Sequence, residues 1–143
     1  MNRALRRPLA EIQLENDEIL ALIDTGATVH AADSEIHFRD YAGHVKQTPA
    51  SRRGDGAVTA GGHLLENRGK FTVKALADGQ DVENPFVDMK VQMPILAVKK
   101  MIKKGTKMLI EEDGGTLFNS RTNQRLNFLE HSGLWFMKLK VKP

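Results

Sequence analysis

The chain has 143 residues, 41% of them apolar, and no cysteine. That length sits near the commonest size of a single domain and can bury a core without staples, while the lack of thiols excludes disulfides, thiolate catalysis and cysteine-ligated metal centres. A formal charge of +3, from 21 basic and 18 acidic side chains, is too mild to announce a nucleic-acid partner.

In chain order, Leu9, Ile12 and Leu14, the turn residues Asn16-Asp17 and the run Ile19-Leu20-Ala21-Leu22-Ile23 read as a hairpin. Its second strand ends at Asp24-Thr25-Gly26, where Gly26 permits a sharp change of direction. Ser51-Arg52-Arg53-Gly54-Asp55-Gly56 and Ala60-Gly61-Gly62 are glycine-punctuated turns. Lys70 to Leu76 alternates and ends at Asp78-Gly79, which predicts a strand leading into a turn. Phe86 to Leu96 reads as extended, with Pro94 unsuited to the middle of a helix.

One helix follows, over Leu96 to Lys104. Apolar residues at 97, 98, 101 and 102 share a face, Gly105 stands where a terminating glycine belongs, and the lysines suit the negative end of the helix dipole. Short strands are predicted around Met108-Ile110, Thr116-Phe118, Leu126-Leu129 and Leu134-Val141, some of them separated by Asp113-Gly114-Gly115 and Ser132-Gly133. Many short strands, one helix, no repeat and no linker predict one all-β domain over 1–143, closed or sandwich-like. No apolar run approaches the roughly 18 residues of a membrane span, and no charged-then-apolar segment opens the sequence. The expectation is a soluble chain without a membrane partner.

Charge is segregated. Residues 11–40 carry eight carboxylates against the single Arg39, while 99–107 carry five lysines and no acid. The lysines form either a solvated helix face or a basic patch for RNA or an acidic partner. Few aromatics interleave with them, so a stacking platform for single strands has no support.

The chemistry lies in Ala21-Leu22-Ile23-Asp24-Thr25-Gly26-Ala27-Thr28. An apolar strand anchors Asp24 in a stiff scaffold, and the Thr-Gly turn aims its carboxylate outward. Alone it would be an ordinary ionised acid. Two such carboxylates within about 3 Å share one proton and titrate as a pair, so one can take a proton from water while the other donates to a scissile carbonyl. The chain has one Asp-Thr-Gly triplet and no Asp-Ser-Gly. The second carboxylate must come from a second copy about a two-fold axis.

With these residues the chain resembles the retropepsins, the homodimeric aspartic proteases of retroviruses and retrotransposons. Arg7-Pro8, the hairpin and Ala-Leu-Ile-Asp-Thr-Gly-Ala-Thr carry the resemblance in the first half. The second family landmark is an apolar pair before a Gly-Arg-Asp or Gly-Arg-Asn triplet that opens a helix. Pro94-Ile95-Leu96-Ala97-Val98 holds the equivalent place, with Ala97-Val98 for Gly-Arg. That departure removes an arginine which in retroviral members ties the helix to the dimer interface. Copia-type retrotransposon proteases are similar here, and Val29-His30 and Phe86-Val87-Asp88-Met89-Lys90-Val91 also look like that branch. The likeness spans roughly residues 7–118.

The resemblance implies a closed acid-protease barrel, active as a symmetric homodimer without a cofactor or metal, that cleaves an extended peptide of its own polyprotein. It implies the cytoplasm or a virus-like particle as location. Asp24 is then the acid/base, Thr25 braces the paired loops, and Gly26, Ala27 and Thr28 face the substrate backbone. A mobile flap about 25 residues beyond the aspartate falls on Arg53, Gly54, Asp55 and Gly56, with Gly61-Gly62 as rival tip. Leu22, Val58, Ile95 and Val98 are pocket-wall candidates, with core burial the alternative for each. Leu134-Val141 either closes the barrel or pairs within the dimer, since an exposed apolar edge would invite aggregation.

Other chemistries have less behind them. No Gly-x-Ser-x-Gly elbow, phosphate-cradling loop or dinucleotide fingerprint is present. The histidines at 30, 37, 44, 63 and 131 lack paired zinc spacing, so a structural or surface place is expected for His30. Glu111-Glu112-Asp113 reads as a solvated strand end rather than a cation site. The rival to a peptidase is a dimerisation or peptide-binding module without proteolysis, motivated by Ala97-Val98 and the charged flap. A basic module that contacts RNA through 99–107 is the third reading.

Overall fold

The computed structural model describes residues 12–58 and 62–142. Strands dominate it. They are β1 (Glu18–Asp24), β2 (Ala31–Ala32), β3 (Ala57–Val58), β4 (Leu64–Leu65), β5 (Lys70–Ala77), β6 (Gln80–Asp88) and β7 (Ile95–Ala97), then β8 (Thr106–Glu111), β9 (Gly114–Asn119), β10 (Arg125–His131) and β11 (Leu134–Val141). Helical segments are short: α1 (Ser34–His37), a 3₁₀ segment (Arg39–His44), α2 (Pro49–Arg52) and α3 (Val98–Lys103). None is long and apolar enough to cross a membrane.

The clearest local rule is alternation. In β5, Phe71, Val73, Ala75 and Ala77 are buried, while Lys70, Thr72 and Lys74 face out. A strand with that period-two pattern lays one face on a core and the other in water. Asp78 and Gly79 both take positive φ, 50° and 72°. That is the backbone of a tight two-residue hairpin turn, whose twist matches the flanking strands. It delivers β6 antiparallel to β5 over eight residue pairs, Lys70↔Val87 to Ala77↔Gln80. Ser132-Gly133 repeats the device between β10 and β11.

Nine strands form one sheet in the order β1-β7-β2-β6-β5-β11-β10-β9-β8, and β11 also pairs with β1. The first six therefore close on themselves. Along one side of β11 runs β1, from Glu18↔Lys140 to Leu22↔Phe136. Its other side is shared, with β10 beside Leu134–Phe136 and β5 beside Leu139–Val141. The terminal strand is thus the closing stave of the barrel and the branch from which β10, β9 and β8 extend.

One core runs through both parts. Phe38, Phe71 and Phe86 cluster with ring centroids 5.3–6.0 Å apart. Leu117, Phe128, Met137 and Leu139 continue the same buried cluster into the extension. Truncating any of the three rings to alanine would cost about 3–5 kcal/mol.

Several expectations change. The antiparallel partner of β1 is β11, because the edge that a preceding hairpin arm would take is filled by a strand from the other end of the chain. Residues 12–15 form no strand, and only the turn at Asn16-Asp17 is as expected. Leu9 and the Arg7-Pro8 landmark lie outside the described residues. The extended stretch from Phe86 stops at Asp88, and Pro94 immediately precedes β7.

Helical segments beyond α3 are the other difference. Asp33 caps α1 by accepting from the Glu35 N–H. Thr48 and Ser51 form a reciprocal capping box around α2, with Pro49 at its first position. Four residues are too few for apolar periodicity to show in a sequence.

Candidate active site

Asp24 is the last residue of β1 and is half-buried. On one side β1 lies parallel to β7, in the register Leu22↔Ile95, Ile23↔Leu96, Asp24↔Ala97. The Leu22 N–H also donates to the Pro94 carbonyl at 2.8 Å. The far side of β7 pairs antiparallel with β2 through Ala31↔Ile95. The chain therefore leaves β1 at Asp24, passes the end of β7, and re-enters the sheet at β2. The two segments that carry the sequence resemblance, 21–28 and 94–98, lie side by side.

Within the loop, Thr25, Gly26, Thr28 and Val29 are exposed and Ala27 is half-buried. Asp24 Oδ1 accepts the Gly26 N–H at 2.8 Å, closing a short turn. Neither carboxylate oxygen has another donor among the described residues. A Cβ built on Gly26 would meet Asp24 Oδ1 at 3.4 Å, an ordinary contact, and its φ is not left-handed. The single chain therefore has room for a side chain at 26.

His30 ends the loop, and it is buried. Its Nδ1 accepts the N–H of Ala97 at 2.9 Å, and its ring tilts on Phe86 at 6.1 Å. Burial first, and then the charges of Lys100 and Lys104, push its pKa down from 6.5 to about 4. A neutral imidazole is what this place needs, because a protonated Nδ1 could not accept. His30 is thus a brace that fixes the loop exit to the residue paired with Asp24, and Ala97 is also the N-cap of α3.

A second carboxylate group is formed by Asp33 and Asp88, and although Asp88 lies in the 86–91 stretch of the resemblance, no sequence pattern joins it to Asp33 or Arg68. Asp33 Oδ1 and Asp88 Oδ1 each lie 3.0 Å from Arg68 Nη2. Asp88 accepts from the Ser34 N–H at 2.9 Å and the Ser34 hydroxyl at 3.0 Å. Burial opposes the Arg68 charge, but its hydrogen bonds and attraction to Asp33 and Asp88 raise its pKa above the ordinary value. One guanidinium bridges both acids. This group ties α1, the end of β6 and the approach to β5. It is structural.

The pocket-wall candidates divide. Leu22 and Ile95 are half-buried cross-strand partners two residues before Asp24 and Ala97. Val98 is buried at the start of α3. Val58 is 70% exposed and belongs to the separate β3–β4 pair.

The flap segment also sits differently. Arg53 and Gly54 form the turn that ends α2, and the Arg53 guanidinium bonds Asp55 Oδ2 at 2.9 and 3.1 Å. Gly56 then leads into β3. The segment 53–56 is therefore at the base of the β3–β4 hairpin, because the capping box draws residues 49–52 into a helix. β3 and β4 pair antiparallel with Val58 opposite Leu64; of the rival tip, Gly61 lies outside the described residues and Gly62 takes a positive φ of 82°.

Of the lysine run, Lys100 is half-buried and its pKa is lowered by burial and then by Lys70 and Lys104. A groove of about 690 Å³ lined by Tyr41, His44, Lys46, Lys70, Phe71 and Lys74, among others, contains no residue of the Asp24 loop. No group of His, Asp and Glu among the described residues could hold a metal ion. Neither a family model nor a curated protein nor a solved structure matches this chain.

Proposed function

We propose that the chain is one half of an aspartic endopeptidase, a retropepsin-like acid-protease subunit that acts as a symmetric homodimer on extended peptide segments. One observation carries the reading. Asp24 ends an apolar strand beside Ala97, so the Asp-Thr-Gly loop and the strand–helix junction of the second landmark meet, although 73 positions separate them in the chain. A carboxylate with one backbone donor, on an exposed loop, is free to meet a second carboxylate, a water and a peptide. His30 and the β1–β7 ladder hold it stiffly from behind.

In this mechanism two Asp24 carboxylates face each other across a two-fold axis and share one proton. The ionised member takes a proton from water as it attacks the scissile carbonyl, and the protonated member donates to the developing oxyanion. Substrate binds as an added strand, with main-chain hydrogen bonds for affinity and side-chain pockets for selectivity. Leu22 and Ile95 are placed to contribute apolar wall. The polyprotein that encodes the chain is the substrate the resemblance implies.

The test is a peptide-library digest between pH 4 and 7 with the chain and its Asp24→Asn variant. Cleavage by the first and at least about 10³-fold less by the second is the expected result. A statine-type inhibitor, whose hydroxyl sits between the carboxylates, should bind the dimer alone. Full cleavage by Asp24→Asn ends the proposal, while a folded dimer that cuts nothing points to the peptide-binding module. Val98, buried where retroviral members carry arginine, is the observation behind that second reading.

A further inference from the structure

We propose that β8 is a self-association edge, along which two copies of this chain pair antiparallel about a two-fold axis at Leu109. β8 ends the nine-stranded sheet, with β9 on one side and no described strand on the other. Such an edge presents unpaired N–H and C=O groups, and proteins usually blunt it with charge, proline or a bulge. The middle of β8 carries none of these: Met108, Leu109 and Ile110 are consecutive. Leu109 and Ile110 are 52% and 54% exposed. Across the ladder from Ile110 stands Gly115, which has no side chain to cover it.

The occupant follows from the order of residues, Lys107-Met108-Leu109-Ile110-Glu111. Turned antiparallel on itself at Leu109, this segment sets Leu109 against Leu109, Met108 against Ile110, and Lys107 against Glu111, twice. Apolar meets apolar and each charge meets its opposite, the pairs that stabilise adjacent strands. Moving the axis one residue to Met108 puts Lys107 against Leu109, and moving it to Ile110 puts Leu109 against Glu111, while a half step would oppose side chains from opposite faces. One register is therefore preferred, and a C2 interface is self-complementary by construction. The inference stands apart from the peptidase reading, because it uses no residue of the Asp24 loop.

The chain has no cysteine, so a single introduced thiol reports on one contact. Opposed Cα atoms in an antiparallel pair lie about 4.5–5.5 Å apart, within disulfide reach. Leu109→Cys should give a covalent dimer under mild oxidation. Lys107→Cys should not, since four strand steps place its copies about 13 Å apart. In sedimentation equilibrium, Lys107→Glu should weaken association about tenfold by setting like charges opposite each other twice, and Lys107→Glu with Glu111→Lys should restore it. Circular dichroism establishes that each variant is folded. A folded Leu109→Cys chain that stays uncrosslinked, or association indifferent to both charge variants, overturns the proposal and leaves the Asp24 experiments unaffected.

Discussion

Two sets of carboxylates in this chain live under opposite conditions. Asp33 and Asp88 are each 5% exposed. Together they accept from the Ser34 amide and hydroxyl, the Glu35 amide and Arg68. Asp24 stands at a strand end with one backbone donor. The buried pair shares one guanidinium and holds backbone and hydroxyl donors, so its work is to hold segments together. Asp24 has lone pairs to spare in a loop open to solvent. The contrast separates structural acids from an available one by partners and access, which the type of residue does not do.

Exchanging single oxygens tests that contrast most strongly. Asp24→Asn should lower the proposed peptidase activity at least about 10³-fold while the melting temperature stays within about 2 °C of the parent, since only the Gly26 contact is touched. Asp88→Asn should do the reverse. It leaves Arg68 and Ser34 with a poorer partner in a buried place, at a cost of about 3 kcal/mol, or roughly 10 °C for a domain of this size. Activity per folded molecule should remain. Thermal melts beside a digest decide it, and an inactive but fully stable Asp88→Asn protein would erase the distinction.

His30 extends the comparison to pH. Its folded pKa of about 4 lies below the unfolded 6.5, so the unfolded chain binds more protons between those values and stability rises with pH across that window. The contribution is complete above pH 6.5 and is lost as pH falls toward 4. A shift of that size corresponds to about 3 kcal/mol. His30→Asn keeps an acceptor for the Ala97 N–H but does not titrate. Urea melts at pH 7 and 4.5 should show a smaller difference for the variant than for the parent. An unchanged difference would mean that another group sets the acid limit.

What the sequence reveals follows the range of the forces involved. The β5–β6 hairpin is readable because alternation from Lys70 to Ala77 and the Asp78-Gly79 turn are local. The expected helix is present in part: α3 starts at Val98 because Leu96 and Ala97 belong to β7, Ile102 of the expected apolar face is exposed, and Gly105 follows with φ of 96°. The partner of β1 is not local. Asn16-Asp17 supplies a turn, but β11, from the far end of the chain, occupies the edge. Likewise Arg68 meets acids 35 and 20 residues away, and no periodicity connects them. Thr48-Pro49 is a legible helix start, and it accounts for the helix that precedes 53–56. For the Asp24 loop, the motif located the residue, but only the fold shows His30 and Ala97 behind it.

The finest division between the two carboxylate environments is made by Gly26. Asp88 is buried and its carboxylate holds three hydrogen bonds, whereas a methyl on Gly26 would lie 3.4 Å from Asp24 Oδ1 and meet nothing else within 4 Å. Backbone strain gives no objection either. In the isolated chain Gly26→Ala should therefore be neutral or stabilise by up to about 1 kcal/mol, through reduced freedom of the unfolded state. If the loop faces a peptide and a second loop, the same methyl intrudes where main chains pass closely. The expected result is an unchanged or slightly higher melting temperature together with kcat/KM about tenfold lower, roughly 1.4 kcal/mol of lost transition-state stabilisation. Equal activity in parent and variant would mean that nothing approaches this turn, and Asp24 would then lack the close neighbour its chemistry requires.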